Sequence, residues 1–284
     1  MHVFITGPAR GIGAALARQL AARGARVALA GLEPDRLAEL ARELGPQHVW
    51  FECDVTDQVS VVRAVEGTMT AFGSLDVVVA NAGIASHGTV AITPIEALER
   101  VVAVNLMGVI RTVHATLPHL TATRGYYLLI SSAAAIAAAG GMATYCGTKA
   151  GVEQFGNALR LELLHKGVDV GIAHPAWIDT DLVRDTRREL ASFNDMLRKM
   201  PPPFSTVTPL EVCVDALVKA IDQRERKIFI PKSLRYVSML RHFFMSRFVD
   251  RQTGKNAGRT LAKMEAEVQA RGRVFGENSV ESRR

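Results

Sequence analysis

Val3-Phe4-Ile5-Thr6-Gly7-Pro8-Ala9-Arg10-Gly11-Ile12-Gly13 stands near the start of the chain and runs straight into the Ala-rich stretch Ala14 to Ala22. A short run that is apolar on both faces reads as a buried strand, and the stretch after it reads as a helix. The three glycines mark the turn between them. Glycine lets the backbone bend sharply and approach an anion closely, and the helix amino terminus then offers unpaired N–H groups and a positive dipole end. A tight turn without a ligand is the other reading, and position decides between them.

The strand-then-helix pattern recurs. Apolar runs at Val3 to Thr6, Arg26 to Ala30, Val49 to Asp54, Leu75 to Ala80, Tyr126 to Ser131, Asp169 to Ala173 and Lys227 to Ile230 alternate with helical patterns. Those helices are expected at 11 to 24, 34 to 44, 57 to 72, 94 to 118, 144 to 166 and 208 to 222. Asp57, Thr93-Pro94 and Thr208-Pro209 read as helix starts, and Gly45, Gly73 and Gly167 as stops. Seven strands alternating with helices predict an α/β protein: one doubly wound (Rossmann) parallel sheet with helices on both faces, followed by a helical extension. In such a sheet ligands bind beyond the carboxyl ends of the strands, so the informative residues should follow each strand.

With 284 residues, 48% hydrophobic and 22% charged, the chain has material for a large core and excludes disorder, collagen and coiled coil. Its net charge of +6 is unevenly placed. Residues 224 to 284 hold 15 Lys/Arg and 6 Asp/Glu, while the preceding 223 hold 19 and 22. A slightly acidic body with a basic tail argues against nucleic-acid binding. Cys53, Cys146 and Cys213 are far apart and form no zinc-like cluster, which predicts no metal site and a reducing, cytoplasmic setting. The opening Met1-His2-Val3 lacks the features of a signal peptide, and no apolar run approaches the roughly 18 residues of a membrane span.

The glycines at 7, 11 and 13 follow the spacing TGxxxGxG, and in this the sequence resembles the short-chain dehydrogenase/reductase family over about residues 2 to 231. The resemblance implies an oxidoreductase on CH–OH donors with a nicotinamide dinucleotide. It assigns Gly7, Arg10, Gly11, Ile12 and Gly13 to the cofactor. Asp54 and Val55 match the family's adenine contact, although Asp54 could instead cap the helix beginning near Asp57. Asn81-Ala82-Gly83 matches the NAG motif along the cofactor.

Tyr145 and Lys149 form the YxxxK pair, on one face of a helix by their spacing. A tyrosine with an ordinary pKa near 10 is a poor base at neutral pH and needs a nearby cation, which Lys149 can supply. Ser132 lies thirteen residues earlier at a strand end. Strand alternation would point Ser131 and Ser132 to opposite sides, and the family spacing selects Ser132. Asn105, in Asn105-Leu106-Met107-Gly108, matches the NxxG motif. An Asn inside an apolar helix otherwise needs a local partner. The resemblance implies that Tyr145 moves the proton, Ser132 orients the substrate oxygen, and Lys149 lowers the tyrosine pKa and binds the nicotinamide ribose. It gives Asn105 the water that links Lys149 to solvent.

His174-Pro175-Ala176-Trp177-Ile178-Asp179-Thr180 resembles the PGxxxT segment, with Ala176 in place of glycine, so Pro175, Ile178 and Thr180 are cofactor candidates. His174 reads as a packed strand-end residue. At the end of the second strand Gly31 occupies the family's usual acidic position. Glu33 comes two residues later, placed to start a helix, and Arg10 can pair with a phosphate. NADP(H) is therefore expected over NAD(H), unless Glu33 folds back onto the ribose.

Residues 1 to 231 are expected to form the catalytic domain, with a mobile lid at about 181 to 207 whose apolar residues, among them Phe193, Leu197 and Phe204, suggest a hydrophobic alcohol or ketone. The resemblance implies a homodimer or homotetramer through the helices bearing Asn105 and Tyr145. Beyond Pro231, Leu234, Val237, Leu240, Phe244 and Phe248 alternate with Lys and Arg as a basic amphipathic helix. A cover over the pocket or a subunit partner, peripheral membrane contact and a solvated extension remain open for it, and Arg271 to Arg284 read as frayed. A nucleotide-binding redox sensor or scaffold without turnover is the alternative function. An extended-branch epimerase fits less well, since its glycine spacing differs.

Overall fold

The computed structural model describes residues 1 to 279. Seven strands form the sheet: β1 (His2–Thr6), β2 (Arg26–Gly31), β3 (Val49–Glu52), β4 (Val77–Ala80), β5 (Tyr126–Ile130), β6 (Asp169–Pro175) and β7 (Lys227–Ile230). Their order is β3-β2-β1-β4-β5-β6-β7 and every pair is parallel. The order reverses between β1 and β4, and the crevice at that reversal is where a doubly wound sheet takes ligands.

Period-two alternation sorts the strand side chains onto two cores. Val3, Ile5, Val27, Leu29, Val77 and Val79 pack under α1 (Gly11–Ala22), α2 (Pro34–Leu44) and α9 (Leu210–Gln223). Phe4, Ala28, Val78, Ala80, Tyr127 and Leu129 face α3 (Gln58–Phe72), α5 (Gly108–Thr123) and α6 (Ala143–Leu163). Both faces of the sheet are thus covered, which is why its strands read as continuous apolar runs.

The long central helix begins as α4 (Ile95–Val102), widens into one π-turn at Ala103–Met107 and continues as α5. The apolar pattern predicted an end at Pro118. The helix instead runs on to Thr123, where Leu120 is buried and Thr123 Oγ1 donates to Leu75 O at 2.6 Å. By length and composition the stretch Ile95–Thr123 could cross a membrane. It is a core helix here: Asn105, Thr112, Thr116 and Leu120 are fully buried against the domain.

After β6 come α7 (Asp181–Glu189) and α8 (Ala191–Lys199), and after β7 come α10 (Leu234–Met239), α11 (Arg241–Phe244) and α12 (Arg247–Arg271). Leu190, Phe193 and Leu197 of the expected lid bury against Met264 and Val268 of α12. The lid's apolar residues therefore have a packing partner, which the sequence pattern assigned to no particular element. The single basic amphipathic face read over Leu234 to Phe248 is split: Leu234 and Val237 are buried, while Leu240 and Phe248 are exposed. Phe244 packs with Leu234 and Val237, so the inner row runs through 234, 237 and 244 and leaves Leu240 and Phe248 off it.

Residues 272 to 279 correct the expectation of a frayed end. His87 N donates to Val274 O at 2.8 Å, and Arg273 Nη2 to Glu189 Oε1 at 3.1 Å. Asn278 donates from N and Nδ2 to the buried Asp185 carboxylate at 2.9 and 2.8 Å. The rest of that expectation, Val280 to Arg284, lies outside the described residues.

Candidate active site

The turn after β1 is shaped by what glycine lacks. Gly7 and Gly11 hold φ of +67° and +56°, a region L side chains rarely adopt. A Cβ at Gly7 would lie 2.8 Å from Ala82 Cα, and one at Gly13 would lie 2.6 Å from Asn81 Nδ2 and 2.7 Å from Gly7 O. The space those atoms would fill is taken by β4's end. Asn81 Nδ2 donates to Thr6 O and Gly7 O at 3.0 Å each, and Thr6 Oγ1 accepts from the backbone N–H groups of Asn81 and Ala82. Asn81 thereby locks the two strand ends on either side of the crevice. No side chain caps the start of α1, so its first-turn amides are left facing the pocket lined by Gly11 and Ile12.

One continuous pocket runs from this turn to Tyr145. Its lining includes Gly7, Arg10, Gly11 and Ile12, then Asp54 and Val55, then Asn81, Ala82 and Gly83, and finally Ser132, Tyr145, Lys149, Pro175, Ile178 and Thr180. Gly13 and Asn105 stand just behind the wall, Gly13 against Asn81 and Asn105 against Ile84. Asp54 does not cap the next helix. Asp57 does, accepting from Val59 N at 3.0 Å, while Asp54 accepts from the N and Oγ1 of Thr56 and lies 3.4 Å from Arg100 Nη2.

The reacting end is built from three elements. Ser131 and Ser132 point opposite ways: Ser131 Oγ donates to Lys149 O at 2.7 Å, whereas Ser132 Oγ accepts from Ala134 N at 3.1 Å, donates to Pro175 O at 3.4 Å and lines the pocket with Tyr145. On α6, Lys149 Nζ donates to Ile130 O at 2.9 Å and lies 5.7 Å from the Tyr145 ring centre. Asn105 sits in the π-turn, fully buried. Its Oδ1 accepts from Ile84 N at 2.8 Å and its Nδ2 donates to Ile84 O at 2.9 Å. That pair of bonds supplies the local partner an interior Asn requires, and π-turns of this kind recur where a helix carries a functional side chain. Lys149 Nζ and Asn105 Oδ1 both come within 3.5 Å of the point where a Gly83 Cβ would stand.

Burial dominates the electrostatics. It pushes the Tyr145 hydroxyl above its usual value, with the Ser132 hydrogen bond pulling it partly back. Burial also brings Lys149 down to about 8. Desolvation is thus the largest influence on the Tyr145 hydroxyl, and the Lys149 ammonium is directed to Ile130 O. Ala176 stands where the related pattern has glycine without taking a left-handed backbone, and its N donates to Ile230 O at 2.8 Å. His174 is fully buried, stacked on Phe229 and 3.7 Å from Glu153, away from the reaction.

At the opposite end, the premise behind the NADP(H) expectation changes. Glu33 lines the pocket, and Arg10 donates to its carboxylate from Nε at 3.0 Å and also from Nη2. Arg36 Nε lies 3.5 Å from the same group. The guanidinium assigned to a phosphate is thus already paired, and the acid read as a helix start is turned inward. Sequence reasoning also missed Gly276, Asn278 and Ser279, which complete the pocket wall beside Arg10; Arg10 Nη1 donates to Asn278 O at 2.7 Å. A separation of 268 residues carries no local signal.

A parallel sheet whose reversal holds a glycine-cradled anion site, with a Ser–Tyr–Lys cluster at the far end, defines a dinucleotide-dependent oxidoreductase. The family model described as short chain dehydrogenase matches residues 1 to 191, and the chain belongs to that family. It is 34% identical over 238 residues to 11-beta-hydroxysteroid dehydrogenase 1A of Arabidopsis thaliana, covering 81% of this chain and 68% of that one. It is 35% identical over 183 residues to cis-4-hydroxycyclohexanecarboxylate dehydrogenase of Sinomonas cyclohexanicum, covering 63% of this chain and 74% of that one. Among solved structures, an alcohol dehydrogenase from Thermococcus sibiricus complexed with 5-hydroxy-NADP superposes with a TM-score of 0.69 at 27% identity, over 80% of this chain and 94% of the other. A 3-ketoacyl-(acyl-carrier-protein) reductase from Brucella melitensis, complexed with NADH, shares the fold with a TM-score of 0.73 at 23% identity, over 81% and 96%.

Proposed function

We propose that this oxidoreductase interconverts a hydrophobic alcohol and its ketone or aldehyde, with Tyr145 as the acid and base. The observation that carries the reading is the meeting of Ser132, Tyr145 and Lys149 in the lining of one pocket, at the end remote from the glycine turn, with Lys149 Nζ 5.7 Å from the Tyr145 ring centre. A bound nicotinamide dinucleotide supplies or accepts the hydride. The two hydroxyls of Ser132 and Tyr145 converge to hold one substrate oxygen. Because burial keeps Tyr145 protonated at neutral pH, it gives its proton to a carbonyl oxygen in reduction and takes one back in oxidation. Lys149, with a pKa of about 8, supports the phenolate with its charge, and Asn105 lies beside it on the side of Gly83, placed to hold a water that links Lys149 to solvent.

The glycine cradle and the first turn of α1 fit a pyrophosphate. At the adenosine end Glu33 is placed to accept from ribose hydroxyls, and a 2′-phosphate reaches Arg10 only by displacing that carboxylate. This supports NAD(H) over the NADP(H) that the sequence favoured. An apolar substrate is supported by Ile84, Ala176, Leu182 and Val183, apolar side chains that line the pocket. It is also supported by the names of the two relatives, one for a hydroxysteroid and one for a hydroxycyclohexanecarboxylate. Exposed Met107 and Leu161 on the helices bearing Asn105 and Tyr145 support a homo-oligomer, and three buried, unpaired thiols support a reducing, cytoplasmic setting.

The test is a panel of ring-bearing alcohols and ketones with both cofactors, following the absorbance of the reduced nicotinamide. Turnover that Tyr145→Phe abolishes supports the reading. Dinucleotide binding with no turnover of any panel member would sink it in favour of a sensor.

A further inference from the structure

We propose that α10, α11 and the start of α12 form a docking face for an anionic phospholipid bilayer, set beside the substrate end of the pocket. Tyr236, Met239, Leu240, Phe243, Met245 and Phe248 are each more than half exposed. Other exposed large apolar residues, such as Val59, Ile95 and Val212, are dispersed along the chain. Single exposed apolar residues are ordinary, whereas a cluster of six within thirteen residues marks an interaction surface.

The face is rigid. Leu240 N donates to Tyr236 O at 3.1 Å and Phe244 N to Leu240 O at 3.2 Å, so the helical path continues from α10 into α11. Tyr236, Met239, Leu240 and Phe243 then recur every three or four residues on its outer side. The Phe243 ring lies 6.4 Å from that of Phe248 and ties α11 to α12. On the inner side Leu234 and Val237 pack on Ala133 and Ile136, the residues that follow Ser132. Arg241 donates to Ala135 O at 3.1 Å and reaches to 3.6 Å of the Glu153 carboxylate, pinning the element to the domain.

Charge selects the occupant. From Lys232 to Arg259 the sequence holds seven Lys/Arg and one acidic residue, Asp250. Lys232, Arg235, Arg247 and Arg251 are exposed around the apolar cluster. A second copy of this face would bring cation against cation. Anionic headgroups complement the cations while the aromatic and methionine side chains enter the headgroup boundary. A hydrophobic substrate would then reach the pocket from the bilayer, a consequence that rests on the function proposed above. The docking itself does not.

The full chain is sedimented with vesicles of equimolar phosphatidylcholine and phosphatidylserine, and with vesicles of phosphatidylcholine alone. Binding to the mixed vesicles that weakens as salt rises is expected. Replacing Arg235→Gln and Arg247→Gln together should lower the partition coefficient about 30-fold, from ~1 kcal/mol per surface cation. Replacing Phe243→Ser and Phe248→Ser should abolish binding without moving the thermal midpoint or dinucleotide affinity. If that pair fails to fold, the arginine pair carries the test. Binding to neither vesicle, or equally to both, overturns the proposal. So does a lipid-free oligomer that the phenylalanine variant dissociates, since the face would then join copies of the chain. No readout here uses turnover, so failure of this proposal and failure of the oxidoreductase reading are separable.

Discussion

Arg10, in the glycine turn after β1, and Glu33, at the start of α2, form a forked ion pair across the adenosine end of the pocket. Both side chains are mostly buried, so the pair is screened less than a surface bridge. It turns the question of cofactor choice into one about a single carboxylate. In Glu33→Gln the repulsion toward a 2′-phosphate is gone and Arg10 is released to meet it. The ratio of kcat/KM for NADPH over NADH should rise at least about tenfold, a shift of ~1.4 kcal/mol. An unchanged ratio in parallel steady-state assays would show that Glu33 does not govern the choice.

Burial sets the direction of the pH dependence at the reacting end. Tyr145 is held above its usual pKa and Lys149 is brought down to about 8, so Lys149 gives up its proton first and Tyr145 only at higher pH. Oxidation, which needs the phenolate, should accelerate as pH rises across the alkaline range, because Tyr145 is held above its usual value. Lys149→Arg keeps a permanent cation and should move the limb to lower pH. Tyr145→Phe should cost roughly 10²–10⁴-fold in kcat/KM with little change in dinucleotide affinity. A profile that Lys149→Arg leaves in place would assign the limb to another group.

Where the sequence was legible, short-range sterics made it so. Gly7 and Gly13 are forced by the approach of Asn81 and Ala82. Ser132 was separable from Ser131 because a strand turns neighbours to opposite faces. What escaped depends on long-range geometry. The orientation of Glu33 is set by an arginine 23 residues away, and the seating of Asn278 by partners 93 and 268 residues away. No periodicity encodes such contacts. The amphipathic stripe was found, but Leu234, Val237 and Phe244 turn inward while Leu240 and Phe248 stay exposed, a division that depends on which neighbour the helix packs against.

His87 offers a separate handle on stability. It is buried, hydrogen-bonded to Thr186 Oγ1 at 3.1 Å, and burial, aided by Arg271, lowers its pKa to about 4. An unfolded chain binds that proton near 6.5, so between about pH 6.5 and 4 the unfolded state holds more protons. Stability contributed by the neutral ring is complete above 6.5 and is lost as pH falls through this window, by about 3 kcal/mol in full. Urea midpoints measured at steps from pH 7 to 4 should fall, and His87→Gln, which keeps a donor for Thr186, should flatten the slope. Equal slopes for the two proteins would mean that other groups carry the acid sensitivity.

The segment from Gly272 to Ser279 should act as a strap on the dinucleotide. Its backbone takes a hydrogen bond from Arg10 through Asn278 O, and the Asn278 side chain and amide satisfy Asp185, which is 3% exposed. Removing residues from Gly272 onward leaves the Asp185 carboxylate with Arg188 as its remaining charged hydrogen-bond donor on α7 and opens the wall beside Arg10. A hydrogen bond to a charged group contributes about 1.5–3 kcal/mol, so the loss is felt both in the fold and at the site. Fluorescence titration of the reduced dinucleotide should show affinity weakened about tenfold or more, from one such bond at its lower limit. The chemical step should slow far less, because Ser132, Tyr145 and Lys149 make none of the strap's contacts. Asn278→Ala should give a smaller change in the same direction. A truncated protein that binds the dinucleotide as tightly as the full chain would reduce the strap to a surface attachment.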